Sequence, residues 1–393
     1  MPDLAPFANQ LAWPLAIALA WAVGELGHRV LRIPRIALYA LVGFVLGQGQ
    51  GGLLPAASNG PIATLANIAF GLTLFEFGYR INLRWLRHNP WIGITGVAES
   101  AATFAVVYFL ASLWALSSLT SLLLGALAVL TSPVAVIRVV NEQHSSGQVT
   151  ERVLHLSAIN SVIAVFVFNA IVGYWTYQNS GSLWQAVSSS LLAVLGSLLL
   201  GGVFGVVVPA LLRVIHGIRD ATVAIAIAVV LLVALAQALK LSPVLATLAF
   251  GVAARHRRVA LSQTQRNFGA LGNVLAVVLF LFIATTLEWP RVVTGLWLAV
   301  PLVAARSLVK ILVVGLFAPI SGTTWRKGVL TGIGLTPISA FVILLLQQAR
   351  YLGIDLVDQV AALAASTLLL ELAGPVVIQR ALVWAREGLD GDH

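Results

Sequence analysis

The sequence contains no cysteine, so a disulfide framework, a thiolate metal centre and thiol redox chemistry are all excluded. Charge is almost as scarce. Only 9% of the 393 residues are Asp, Glu, Lys or Arg, against about 25% in an ordinary soluble domain. Acids are the scarcer sign, 14 against 23 bases. With 59% apolar residues and a mean hydropathy of +0.96, water cannot be the solvent for most of this surface. The excess of base, +9 with a pI near 10.6, would suit nucleic acid only if it clustered on one exposed face. Here the bases sit in short stretches between apolar runs, so nucleic acid is not an expected partner. The 7 histidines show no metal-ligand spacing, and no nucleotide fingerprint, triad or nucleophile elbow is present. Neither an enzyme nor a cofactor is therefore expected, nor any metal beyond a transported ion. The opening MPDLAPFANQ carries an acid and no basic n-region, so a retained first helix is expected in place of a cleaved signal peptide.

What is abundant is long apolar sequence. A hydrocarbon core of about 30 Å takes roughly 20 helical residues to cross, and thirteen runs approach or exceed that length: 10–28, 36–54, 60–79, 91–116, 119–140, 152–176, 183–213, 221–239, 242–255, 268–287, 293–317, 327–349 and 357–384. Inside lipid every backbone group needs an internal partner, so these runs are helices. The fold class is an all-α polytopic membrane protein of about thirteen spans, a single membrane domain over 1–393.

Loop charge gives an independent check, because Lys and Arg accumulate on the cytoplasmic side. With the N-terminus outside, alternate connections should be basic. They hold Arg29, Arg32, Arg35; Arg80, Arg84, Arg87; Arg138, Arg152; Arg213, Arg219; Arg255, Arg257, Arg258, Arg266; Arg326, Lys327; and Arg380, Arg386, which is 18 of the 23 bases. The opposite connections hold only Lys240, Arg291 and Arg350, while Arg306 and Lys310 lie inside the eleventh span. The expected placement is a bacterial inner membrane, N-terminus out and C-terminus in. Chain end WAREGLDGDH follows the last span closely, so any soluble regulatory subunit is expected to be a separate polypeptide.

Two spans are interrupted. The fifth carries LTSPVAV (Leu130 to Val136) and the twelfth GLTPISAF (Gly334 to Phe341). Seven helices apart, they run in opposite directions. Matched breaks in oppositely oriented halves point to inverted repeats, with two discontinuous helices crossing near 131–133 and 334–339 and a binding site at the crossing. Each break frees carbonyls and amides and creates half-helix ends with partial charge.

The segments LRIPRIALYALVGFVLGQGQGGLLP, FGLTLFEFGYRINLRWLRHNP, LTSPVAV, SPVLATLAFGV and VLFLFIATTLEW, in this order, resemble the monovalent cation/proton antiporter superfamily. The branch of bacterial sodium/proton and Kef-type potassium/proton antiporters is the nearest. The resemblance covers about 30 to 380. It implies a sodium/proton-antiporter-like fold, a homodimer, a transport core of about 91–176 and 293–384, and a dimerisation or scaffold part of about 10–79 and 183–287. It also implies alternating access, with Na+, K+ or H+ as the transported species.

Three departures bear on the site. Such proteins usually place an Asp in the sixth span, where cation and proton compete; the matching pair here is Asn160-Ser161. Thr131-Ser132-Pro133 has Ser where one branch has a second Asp, and Ile338-Ser339 stands where Gly-Glu is common. The basic residue of the eleventh span persists as Lys310 or Arg306. Four residues apart, these two like charges share a helix face, and each costs at least about 2.5 kcal/mol at mid-bilayer, so they need partners. Only Glu99 of the fourth span and Glu371 of the thirteenth lie well inside predicted helices. One of them is expected to pair with Arg306 or Lys310 and to replace the missing titrating Asp, unless the pair is a fixed clamp. Thr131, Ser132, Asn160, Ser161 and Thr336 would supply neutral oxygens, although Asn160 and Ser161 could equally serve only to hydrogen-bond neighbouring helices.

Local roles are expected elsewhere: ion pairs for Glu76 with Arg80 and Glu25 with Arg29, and an interfacial hydrogen bond for His155. The leading functional expectation is a monovalent cation/proton antiporter with an atypical site. Its rivals are an uncoupled uniporter, channel or anionic-solute carrier on the same fold, and a membrane sensor or assembly partner that moves nothing.

Overall fold

The computed structural model describes residues 4–47, 51–55, 61–114, 116–176, 183–214, 218–256, 268–285, 287, 289–338 and 361–388. Among them the regular structure is helical, without a strand: α1 (Leu4–Leu31), α2 (Arg35–Leu46), α3 (Pro61–Arg80), α4 (Leu83–His88), α5 (Pro90–Leu113), α6 (Ser118–Val129), α7 (Pro133–Glu142), α8 (Gln148–Thr176), α9 (Leu183–Val214), α10 (Ile218–Ala238), α11 (Pro243–His256), α12 (Gly269–Thr285), α13 (Trp289–Phe317), α14 (Trp325–Gly334) and α15 (Ala361–Trp384). Among the described residues 7 helical spans are long and apolar enough to cross a bilayer, one of them made of α6 and α7 together. The molecule is a polytopic membrane protein.

Local chemistry sets the boundaries. Pro133 lacks an amide hydrogen and disfavours helical geometry at the residue before it, so α6 ends at Val129. Leu130 and Ser132 are extended, at ψ 132° and 99°. Ser132 then caps α7, its hydroxyl accepting from the Ala135 amide at 3.2 Å. Pro337 acts likewise after α14, where Thr336 to Ile338 leave the helix. The second span is shorter than the expected 36–54. It stops at Leu46, because the glycine-rich sequence after it folds back, with Gly51 N–H on the Val45 carbonyl at 3.1 Å and Gly52 at φ +61°. The short α4, which hydrophobic run length does not reveal, is capped by Asn82.

The two halves repeat one packing pattern. Helix α5 lies against α6 and α8, as α13 lies against α14 and α15, and α5 meets α13 between the halves. Elsewhere α3, α9, α10 and α11 pack together. At the α3/α11 contact a Cβ at Gly78 would collide with the Leu248 carbonyl oxygen, and one at Gly251 with that of Phe75, so the two backbones touch. The outward faces of α9 and α10 show Leu192 at 70% and Ile227 at 62% exposure, as lipid-facing surfaces do.

The local contacts expected for Glu25 and His155 are present. Glu25 accepts from Arg29 at 2.9 Å and also from Arg35 at 2.9 Å. Asn141 stands between Glu76 and Arg80, donating to the first at 2.5 Å and accepting from the second at 2.7 Å. His155 accepts from the Asn82 amide through Nε2 at 3.0 Å. Its Nδ1 then carries the proton for the Glu151 carbonyl at 2.7 Å, as befits a neutral ring lying on Trp85.

Candidate functional site: a buried charge cluster at two helix breaks

The two breaks touch. The Ser132 amide donates to the Pro337 carbonyl at 3.1 Å, and the Thr131 hydroxyl donates to the Leu335 carbonyl at 3.1 Å. Residues 131–133 and the described part of 334–339 thus form one crossing. Ser339 and the residues after it up to 360 lie outside the described residues.

Lys310 enters this crossing from α13. Its Nζ donates to Glu99 Oε1 at 2.5 Å, to the Val129 carbonyl at 3.1 Å and to Thr131 Oγ1 at 3.4 Å. Both charged side chains have no exposure at all. Glu99 Oε1 also accepts from Thr103 at 3.0 Å, one turn further along α5. Glu99 Oε2 is buried with no hydrogen-bond partner among the described residues. Between the two acids considered from sequence, Glu99 is therefore the one seen on Lys310. Glu371 belongs to α15, and its side chain lies outside the described residues.

Arg306, one turn before Lys310, meets carbonyls. Its Nε donates to Ala128 at 2.6 Å and Nη2 to Leu130 at 2.5 Å, both at the end of α6; Nη1 donates to the Thr336 carbonyl just past α14. Each helix C-terminus carries about half a negative charge. Two such ends together offset about one guanidinium charge, which is why Arg306 is buried at 1% exposure with no carboxylate on it among the described residues.

Thr131 is the junction. While donating to Leu335, its hydroxyl accepts from Lys310 and, at 3.2 Å, from Asn160 Nδ2. Asn160 Oδ1 in turn accepts from Ser100 at 3.2 Å. The chain of contacts runs from α5 through α8 to the first break and on to α13 and the second break. Ser161 bonds back to the Ser157 carbonyl of its own helix at 2.8 Å, Thr336 to Ile333 at 2.8 Å, and Ser132 serves as the α7 cap. The structure thus gathers Glu99, Thr131, Asn160, Arg306 and Lys310, while Ser132, Ser161 and Thr336 use their hydroxyls locally.

Sequence reasoning foresaw the freed carbonyls at the breaks but passed over Ser100 and Thr103. A signal for Thr103 exists: Thr95, Glu99 and Thr103 recur every fourth residue, forming one polar stripe on an otherwise apolar helix. Glycine shapes the same region. A Cβ at Gly374 of α15 would lie 2.7 Å from Pro337 Cβ, and one at Gly332 would lie 2.5 Å from Ile311 Cα, so both neighbours close tightly on the second break.

The fold has solved counterparts. Two structures of the sodium proton antiporter MjNhaP1 from Methanocaldococcus jannaschii superpose with TM-scores of 0.70 and 0.71 at 14% and 17% identity. The first, determined at pH 8, covers 96% of each chain, and the second, an electron-microscopy structure, 100% of this chain and 98% of the other. At such identities the likeness establishes the fold. No curated protein sequence matches the chain. The sodium/hydrogen exchanger transmembrane family model matches residues 15–384, nearly the entire sequence, and the chain belongs to that family.

Proposed function

We propose that the protein is a secondary active transporter exchanging a monovalent cation, Na+ or K+, for protons, with Glu99 as the carboxylate at which the two compete. The observation that carries this reading is Glu99 itself: fully buried, beside both helix breaks, with Oε1 shared by Lys310 and Thr103 and Oε2 without a partner among the described residues. A monovalent cation shedding its water needs oxygen ligands and one negative charge. Glu99 supplies the charge, and the Thr131 hydroxyl and the carbonyls of both breaks supply neutral oxygens close by. A proton on Glu99 would cancel that charge, so one carboxylate binds either species and couples their fluxes. Lys310 sets the strength of both, because its ammonium competes for the same oxygen. Asn160 holds Thr131 in place and carries no charge of its own.

Alternating access would come from movement of the segments 91–176 and 293–384 against 10–79 and 183–287 in a homodimer at the bacterial inner membrane. The repeated packing of α5, α6 and α8 and of α13, α14 and α15 supports this division.

Proteoliposomes containing a pH-sensitive dye test the reading. Imposed Na+ or K+ gradients should drive proton flux in the wild type, and Glu99→Gln should lower it by about a hundredfold or more, as loss of a group essential to the cycle does. Wild-type exchange in Glu99→Gln would reject Glu99 as the coupling group. Solute flux that moves no protons would favour the uncoupled carrier instead, and no flux of any solute would favour a sensor.

A further inference from the structure

Helix α7 separates the crossing from the arginine-rich end of the bundle. Ten residues long, it spans about 15 Å. Its first half, Pro133 to Ile137, is buried and wholly apolar. Its last turn carries Arg138, Asn141 and Glu142, which share one face at spacings of three and four. Among the described residues, the partners of those three side chains belong to α1, α2 or α3. Arg138 Nη2 donates to Thr73 at 2.9 Å, and Nη1 stands 3.9 Å from Glu76 Oε2. Asn141 is held between Glu76 and Arg80 as described above. Glu142 Oε1 accepts from Arg35 at 3.0 Å and lies 3.2 Å from His28 Nδ1.

We propose that these contacts are a breakable latch: they hold α7 against α1 to α3, and their release is the step that opens Glu99 to the arginine-rich side. The proposal rests on the transporter reading, because only a site that must open to both sides needs its plug released. Two physical features make this cluster the opening point. Its outer pairs, on Glu142, lie at the water boundary, with Arg35 one-third exposed and His28 one-quarter exposed, so these ions can exchange each other for water, while Arg138 and Glu76 lie buried just inside them. The fully buried Lys310–Glu99 pair has no such exchange available. Deeper in, the α7 residues facing their neighbours are apolar, and an apolar contact slides without breaking a directional bond.

The absence of cysteine gives a clean background for the test. A single reporter, Val136→Cys, is placed at a position with no exposure in the latched state. Its labelling by a membrane-impermeant thiol reagent is followed from each side. Weakening the latch with Asn141→Ala and Glu142→Gln together should speed labelling from the arginine-rich side by about tenfold, within the usual range of conformational coupling, and leave the opposite side unchanged. Glu142→Gln alone, the milder change, should raise it in the same direction if the double variant does not fold. Separately, a short cleavable cross-linker joining Glu76→Cys to Asn141→Cys should stop exchange, and reduction should restore it. Reporter labelling unchanged in the weakened variants, or exchange at the unlinked rate in the cross-linked protein, overturns the latch. If even the unlinked protein moves no ion, the transporter reading fails, while the labelling rates still decide whether the latch opens.

Discussion

Arg306 and Lys310 solve one burial problem in two ways. Lys310, a compact ammonium, takes the single carboxylate seen on it, whereas the planar Arg306 spreads three donors over the carbonyls of Ala128, Leu130 and Thr336. Removing one partner of a buried pair strands the other charge, at a cost of about 3–5 kcal/mol, while replacing both with apolar groups is close to neutral. Glu99→Gln should therefore lower the thermal stability of the purified protein markedly. Adding Lys310→Met to it should recover most of the loss, though not the transport. Equal melting temperatures for wild type and Glu99→Gln would show that Lys310 finds another partner at no cost.

At the scale of elements, interrupted helices matter more than any one side chain. The ends of α6 and α14 bring about one negative charge to Arg306, because each contributes about half a unit. Glu99 is the carboxylate seen at the crossing among the described residues. The α3/α11 contact depends instead on having no side chain. Gly78→Ala forces a methyl group into the Leu248 carbonyl, and overpacking of this kind costs about 1–3 kcal/mol. Gly93→Ala on α5 is the control: no atom lies within 4 Å of its Cβ position, and a helical Ala is favoured over Gly by up to about 1 kcal/mol. Thermal melting in detergent should fall for Gly78→Ala and hold or rise for Gly93→Ala. Two equal curves would mean that α3 and α11 separate freely.

For the whole molecule, coupling at one carboxylate fixes the charge moved. If Glu99 is the coupling group, one cation crosses for one proton, and exchange should not respond to a membrane potential set with an ionophore, since no net charge traverses the field. Asn160→Asp puts a second acid beside Thr131 and within the reach of Lys310, where it can hold an additional proton. That variant should acquire potential dependence. Wild-type exchange that accelerates with potential would contradict single-carboxylate coupling.

Run length, alternating loop charge and the two proline breaks were enough to specify a polytopic helical bundle with paired interruptions, because the bilayer leaves a chain few ways to satisfy its backbone. Periodicity brought Arg306 and Lys310 to one face and singled out Glu99 and Glu371 as the acids inside helices. Sequence could not assign Glu99 to Lys310, since those residues lie 211 positions apart and meet only once α5 packs on α13. Nor could it foresee that Arg306 meets backbone carbonyls from the ends of two other helices. Periodicity describes one helix at a time. The distances between helices, and with them which charge meets which, exist only in the packed molecule.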